Sequence, residues 1–195
     1  MRLIGTREAP VGAADASTAT TAKRPTERRK GEQSSERAIY ARAMSSSYEG
    51  KRGLVLGVAN KRSIAWAIAK RLSEGGAQLA FTYQGERIAK NVQELADSVS
   101  SPLVTECDVR SDTDVARVFE EVGATFGGGL DLLVHAVAFA AAEDLEGRFT
   151  DTPRDRFWMA LDVSAYSLVA CARAAEPLME ASGGGSIVTM TYLGG

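Results

Sequence analysis

The sequence predicts an α/β protein built on a doubly wound parallel sheet. From Arg52 onward, short apolar runs of strand character alternate with segments whose apolar residues recur at helical spacing. The predicted strands are apolar along nearly their whole length, which is typical of a parallel sheet covered by helices on both faces. This alternation indicates right-handed βαβ units, in which ligands bind at the carboxyl ends of the strands.

The first unit joins an apolar strand, about residues 53–58, to a helix predicted over 63–74. Gly57 allows a sharp turn after the strand, and Ser63 can cap the helix and still offer its hydroxyl. The free amides and the dipole of a helix N-terminus favour an anion such as a pyrophosphate. Because the common dinucleotide fingerprint has three glycines and this loop has one, an ordinary strand-to-helix turn is an equal alternative. One face of this helix carries Ile64, Ala65, Ile68, Ala69 and Leu72.

The remaining elements follow in order, each bounded by a turn or cap signal. Gly75 and Gly76 end the first helix, and Ser111 begins the third. The third helix carries an apolar stripe formed by Val115, Val118, Phe119, Val122 and Phe126. The predicted elements are a strand over 78–83, a helix over 86–98, a strand over 103–107, the third helix, a strand over 130–137, a long helix over 154–180 and a strand over 186–191.

Residues at the ends of the second and third strands fit a dinucleotide. Gln84 can bond a ribose hydroxyl, and Glu86 would repel a 2′-phosphate whereas Arg87 would attract it, so NADH is favoured over NADPH. Asp108 can accept from an adenine amino group and Val109 can pack on the ring, although a helix-capping role for Asp108 is a close alternative. Small residues after the fourth strand leave room for a flat cofactor.

Composition limits the function classes. The chain is 45% hydrophobic with a net charge of −2, which gives no case for a nucleic-acid surface or a basic membrane patch, and no apolar run is long enough to span a bilayer. Cys107 and Cys171 lie in apolar segments and are predicted to be reduced, buried thiols of an intracellular protein. His135 is the one histidine, which excludes a His-rich metal site, and its apolar surroundings favour a structural role over a catalytic one.

Residues 1–48 differ from the rest of the chain. They contain nine basic and five acidic residues, are rich in Ala, Ser, Thr and Arg, and lack apolar periodicity. We therefore predict a disordered N-terminal extension. An organelle transit peptide is an alternative that the acidic residues disfavour. We prefer the interpretation that the protein starts at Met44 and that the preceding residues come from an overlong gene model.

Several of these segments resemble one family, the NADH-dependent enoyl-acyl-carrier-protein reductases of bacterial and plastid fatty acid synthesis. These are divergent short-chain dehydrogenases/reductases whose nucleotide loop has one glycine. The resemblance runs from about residue 48 to residue 195 and implies a Rossmann-like NAD-binding domain over 49–195. The segments that carry it are Gly57-x5-Ser63-Ile64-Ala65, 81–84, 107–109, 134–139 and 189–194.

The resemblance implies hydride transfer from NADH to the β-carbon of a trans-2-enoyl thioester on acyl-carrier protein, followed by protonation of the enolate. Ala140 would lie near the acyl thioester, and Tyr192 would be the first of two tyrosines facing the substrate. A homotetramer of the full-length family members and a bacterial cytoplasmic location, rather than a plastid, are also implied. The cofactor would be held by Gly57, Ser63, Ile64, Gln84, Asp108, Val109 and Val137.

By the same resemblance, the family's second tyrosine, a lysine that holds the nicotinamide ribose, a helix and two strands would follow Gly195. We therefore expect five strands of the sheet in this chain, with the C-terminal strands missing, and impaired turnover. The alternative is a non-catalytic remnant that at most binds nucleotide. A general ketoreductase of the same superfamily is a weaker third interpretation, because of the one-glycine loop.

Overall fold

The computed structural model describes residues 47–191. Five parallel strands form one sheet in the order β3-β2-β1-β4-β5, so strand order reverses between β1 and β4. The predicted doubly wound α/β fold with five strands is therefore confirmed. The strands are β1 (Arg52–Leu56), β2 (Gln78–Tyr83), β3 (Leu103–Glu106), β4 (Leu132–His135) and β5 (Ser186–Thr189).

Helices connect the strands as predicted, with one correction. The bounds of β2 and α2 match the prediction residue for residue, whereas β1 and β4 end earlier than predicted. The long helix predicted over 154–180 is helical throughout, but a π-helical segment, Asp162–Tyr166, which the sequence did not predict, divides it into α4 and α5. Two short 3-10 helices, Ala142–Leu145 and Phe149–Asp151, precede α4. The helices are α1 (Ile64–Glu74), α2 (Glu86–Ser98), α3 (Asp112–Thr125), α4 (Arg154–Leu161) and α5 (Ser167–Ala181).

Helices cover both faces of the sheet around β1, and side chains of β1 alternate between the two cores. Leu54 and Leu56 pack with residues of α3 and α5, whereas Val55 packs with residues of α1 and α2. The apolar stripe predicted for α3 is buried in the first of these cores. The hydrophobic runs of the strands are explained by this double coverage.

At the amino ends of β1 and β4, the buried carboxylate of Asp131 accepts three hydrogen bonds. The donors are Lys51 Nζ, Arg52 Nε and the backbone N–H of Arg52, each at 3.0 Å. The Arg52 guanidinium also donates to the backbone oxygen of Phe126 and to Ser182 Oγ. This Asp131 cluster therefore ties the start of β1 to the ends of α3 and α5.

An apolar surface lies on α4 and the π-helical segment. Trp158 is 58% exposed and Tyr166 is 47% exposed, and with Met159 and Leu161 they line a hollow of about 720 Å³. Val163, within the π-helical segment, is buried. The edge strand β5 is exposed along its length.

The predicted extension lies almost entirely outside the described residues, as do the proposed start at Met44 and the predicted site residue Tyr192. Tyr48, at the predicted boundary, donates its backbone N–H to the oxygen of Gly75 and packs against the core under α1. Across residues 47–191, no helix is long and apolar enough to cross a membrane.

Candidate functional site

A cavity of about 170 Å³ lies at the carboxyl ends of the first four strands. Four of the predicted site residues line it: Gly57, Gln84, Val109 and Val137. They come from four different strand ends and meet beside the point where strand order reverses. This is the place where open α/β sheets bind their ligands.

Gly57 permits a backbone conformation that no other residue type would adopt without strain. Its φ is +96°, and a Cβ atom at this position would lie 2.0 Å from the carbonyl oxygen of Ala136. The obstacle is backbone, held in place because the N–H of Ala136 donates to the oxygen of Leu56. The loop after β1 can approach β4 this closely only with glycine.

Ser63 organises the loop rather than the helix. It occupies the N-cap position of α1, but its side chain makes no capping hydrogen bond, so that expectation is wrong. Its Oγ instead accepts from the backbone N–H groups of Ala59 and Asn60, both at 3.1 Å. Both contacts use the oxygen as acceptor, which leaves the hydroxyl hydrogen for a further partner.

Ile64 does not share the buried face predicted for α1. It is 61% exposed at the first residue of the helix, whereas Ala65, Ala69 and Leu72 are buried. Neither Ser63 nor Ile64 lines the 170 Å³ cavity. Both lie on the loop and first turn that follow Gly57.

Asp108 is paired with Arg110. Its carboxylate accepts from the backbone N–H and from Nε of Arg110, both at 3.0 Å. The side-chain hydrogen bonds from Arg110 lower the pKa of Asp108, against the opposing effect of burial. The alternative of a helix cap is wrong, because Ser111 caps α3 by accepting from the N–H of Asp114. Asp108 itself does not line the cavity, although both of its neighbours in sequence do.

His135 has structural partners on both ring nitrogens and is 1% exposed. Its Nε2 lies 2.8 Å from Ser167 Oγ, and that hydroxyl donates to the carbonyl oxygen of Val163 at 2.6 Å. Since the serine has one hydrogen to donate, Nε2 must carry the proton in the pair with His135. Nδ1, 3.4 Å from Thr189 Oγ1, is then the acceptor. These contacts support the structural interpretation.

Burial lowers the pKa of His135 below its ordinary value of 6.5. The unfolded chain therefore takes up the proton more readily than the folded chain. The contribution of His135 to stability is present above about pH 6.5 and is lost as the pH falls toward the folded pKa. As the one histidine, it gives one pair of imidazole signals, from Nδ1 and Nε2, in a ¹⁵N NMR titration. We expect the Nε2–H tautomer and a midpoint below 6.5; an Nδ1–H tautomer or a higher midpoint would contradict this assignment.

The π-helical segment positions the loop after β4. Ser164 Oγ accepts from the backbone N–H of Phe139 at 3.0 Å and lies 3.3 Å from its carbonyl oxygen. These contacts fix the loop that carries Ala138 and Ala140. Ala138 lines the cavity, whereas the exposed Ala140 does not. No glycine or proline within 154–166 signals the wider turn in the sequence.

Glu106, which no sequence signal singled out, reaches the loop after β2. Its Oε1 accepts from the backbone N–H of Gly85 at 3.1 Å. The only sequence feature that could have indicated this contact is its position at the end of β3, the strand that pairs with β2 just before Gln84.

Both described cysteines are free and buried. Burial raises the pKa of Cys107 to about 12 and that of Cys171 to about 11, so both thiols stay protonated at neutral pH. Within residues 47–191, no group of three or more His, Cys, Asp or Glu side chains could hold a metal ion.

The family model described as enoyl-(acyl carrier protein) reductase matches residues 57–195. The enoyl-acyl-carrier-protein reductase FabI of Bacillus subtilis, named for NADH, is 47% identical over 158 residues, covering 78% of this chain and 58% of that protein. FabI of Staphylococcus aureus, named for NADPH, is 45% identical over 149 residues, covering 75% and 57%.

The solved structure of the Anaplasma phagocytophilum enoyl-acyl-carrier-protein reductase with NAD aligns with a TM-score of 0.70 at 42% identity, covering 74% of this chain and 54% of that one. The chain thus spans less than three fifths of the length of these relatives.

Proposed function

The chain belongs to the enoyl-acyl-carrier-protein reductase family, and on that basis we propose that it supplies an NADH half-site for reduction of trans-2-enoyl thioesters on acyl-carrier protein in fatty acid synthesis. By half-site we mean the loop 57–63 and the ends of β2, β3 and β4. The observation that carries the proposal is the cavity in which Gly57, Gln84, Val109 and Val137 meet.

The residues of the half-site fit a dinucleotide. The tight turn at Gly57 brings the first βα loop against β4, and Ser63 holds the amides of that loop in one arrangement. The N-terminus of α1 follows directly and favours the negative charge of a pyrophosphate. The bound cofactor would supply the hydride; this chain's residues bind and orient it.

Each predicted residue then has a proposed role. Ser63 and Ile64 contact the diphosphate region, and Gln84 bonds a hydroxyl of the adenosine ribose. Asp108 accepts from the adenine amino group through the acceptor capacity that remains beside three Arg110 donors, the backbone N–H, Nε and Nη2. Val109 and Val137 pack against the flat rings, because both line the cavity.

On the substrate side, Ala140 is proposed to lie beside the acyl thioester. Tyr192 is proposed to donate its hydroxyl hydrogen to the thioester oxygen as negative charge develops there, which would stabilise the enolate. Its position just beyond β5 in the sequence supports this role, because β5 runs parallel to β4 and ends at the same edge of the sheet.

A homotetramer is proposed for the full-length members of the family, and the exposed apolar surface of α4 and the π-helical segment supports a role of this helix in it. The resemblance further supports a location in the bacterial cytoplasm. The extension over residues 1–48 stays a prediction.

Binding measurements on the 195-residue chain test the proposal. We expect NADH to bind by calorimetry and NADPH to bind more weakly. Equal or tighter NADPH binding would contradict the NADH preference, and binding of neither nucleotide would overturn the half-site.

Turnover with crotonyl-CoA, followed by loss of NADH absorbance, separates the two functional interpretations. Binding without turnover favours a chain that at most binds nucleotide, and slow turnover favours an impaired reductase. Where turnover is measurable, Tyr192→Phe should lower it and leave the NADH affinity unchanged. Full activity of that variant would assign Tyr192 a structural role.

A further inference from the structure

Family membership leaves the choice of nucleotide open, because the relatives include proteins named for NADH and for NADPH. The two nucleotides differ by one phosphate on the 2′-hydroxyl of the adenosine ribose. We propose that Glu106 excludes this phosphate and thereby makes the half-site select NADH. The inference rests on the proposed function. It assigns the selection between NADH and NADPH to a residue of β3 as well as to the residues that follow β2.

The carboxylate of Glu106 lies beside the loop after β2, next to the residue that is proposed to bond the ribose, although Glu106 does not line the 170 Å³ cavity. In the β2–β3 register Glu106 lies opposite Tyr83, and the N–H of Cys107 donates to the oxygen of Tyr83 at 2.8 Å. From this position Glu106 Oε1 reaches across to the backbone N–H of Gly85 at 3.1 Å. Gly85 directly follows Gln84, the residue proposed to bond the ribose.

This contact removes a donor that a phosphate would otherwise use. Gly85 is the N-cap residue of α2, and amides at a helix N-terminus are ready donors for an anion. Here the chain's own carboxylate accepts from that amide. A 2′-phosphate would have to displace the carboxylate or lie beside it with like charge, and both are unfavourable.

Charges of both signs lie near this contact, so the proposed selection depends on the direct hydrogen bond between Glu106 and the Gly85 amide. Glu86 adds a second negative charge in the first turn of α2, next to the positive charge of Arg87. Lys61 and Arg62 lie on the loop after β1, the other element that faces the half-site. Arg117 donates to the backbone oxygen of Glu106, but its guanidinium is paired with Glu121 at 2.8 Å.

The test compares Glu106→Gln with the unmodified 195-residue chain, using NADH and NADPH as probes in calorimetry. Glutamine keeps an oxygen that can accept from Gly85 and removes only the charge. We expect NADPH to bind about tenfold more tightly to the variant, with the NADH affinity unchanged within about twofold. The difference should shrink at high salt, because the effect is electrostatic and exposed.

Glu94→Gln is the matched control, since it makes the same charge change on the exposed side of α2, where Glu94 faces Lys90. Glu106→Lys is a second variant and should shift the preference further toward NADPH. Thermal unfolding of each variant checks that it is folded.

If the unmodified chain binds NADH but neither Glu106 variant changes the ratio of the two affinities, this inference is wrong and the proposed function stands. An equal change in Glu94→Gln would also overturn it, since total charge would then be the cause. If the unmodified chain binds neither nucleotide, the proposed function itself fails.

Discussion

Replacing Gly57 with alanine is expected to abolish measurable NADH binding and to lower the free energy of unfolding by about 2–4 kcal/mol. The added methyl group meets the carbonyl oxygen of Ala136 at 2.0 Å, and the φ of +96° is one that L-residues rarely adopt. Because the obstacle is hydrogen-bonded backbone, it cannot rotate away as a side chain would. The loop has to move, and the half-site moves with it.

Urea unfolding and calorimetry with NADH measure the two effects. Gly127→Ala is the matched control, because Gly127 also has a positive φ of +67° but an added Cβ would meet nothing within 4 Å. That variant should lose about 1–2 kcal/mol and keep the NADH affinity. A Gly57→Ala protein with unchanged binding would show that the loop tolerates the side chain and that this turn does not shape the site.

Replacing Asp131 with asparagine should lower the free energy of unfolding by about 2–4 kcal/mol at neutral pH. The buried carboxylate accepts from Lys51 and twice from Arg52, and asparagine cannot balance either positive charge. The loss should stay below that of a fully buried ion pair because Lys51 is about half exposed. Asp97→Asn, at an exposed acid on α2, should change stability by less than about 0.5 kcal/mol.

The same cluster predicts a dependence on pH. Burial raises the pKa of Asp131, but the hydrogen bonds from Lys51 and Arg52 outweigh burial, and the net pKa lies below its ordinary value. The stabilisation is therefore present above the unfolded pKa of about 3.9 and is lost as the pH falls through the folded pKa. Urea unfolding across this range should show the wild type and Asp131→Asn converging in acid. A constant difference between them would mean that charge is not the origin of the effect.

The local sequence pattern predicted those parts of the fold that are determined by residues close together in sequence. The bounds of β2 and α2 follow from an apolar run, a turn at Gly85 and one amphipathic stripe, all of which are visible in sequence. The turn at Gly57 and the structural interpretation of His135 follow in the same way, the latter from its apolar surroundings. Four strand ends could be assigned to one cavity because parallel strands end at the same edge of a sheet.

Contacts between distant residues could not be predicted in this way. Asp131 meets Lys51 and Arg52 across about 80 positions of the chain, and Glu106 meets Gly85 across 21. Neither contact produces a hydrophobic periodicity that can be recognised in the sequence. Charged residues at strand ends are also common on solvated surfaces, so their presence alone does not indicate a specific partner. Ser63 was expected to cap α1, the ordinary behaviour of serine at an N-terminus, but the local loop amides compete for the same oxygen.

The π-helical segment changes which way a helix faces. None of the residues of α4 is buried, whereas α5 buries five residues, including Cys171 and Ala175. An extra residue in one turn rotates everything before it by about 100° relative to everything after it, given 3.6 residues per ordinary turn. The wide turn thus rotates the apolar face of one continuous helix about its axis. Along α5 this face packs against the sheet, and along α4 it is turned toward the surroundings.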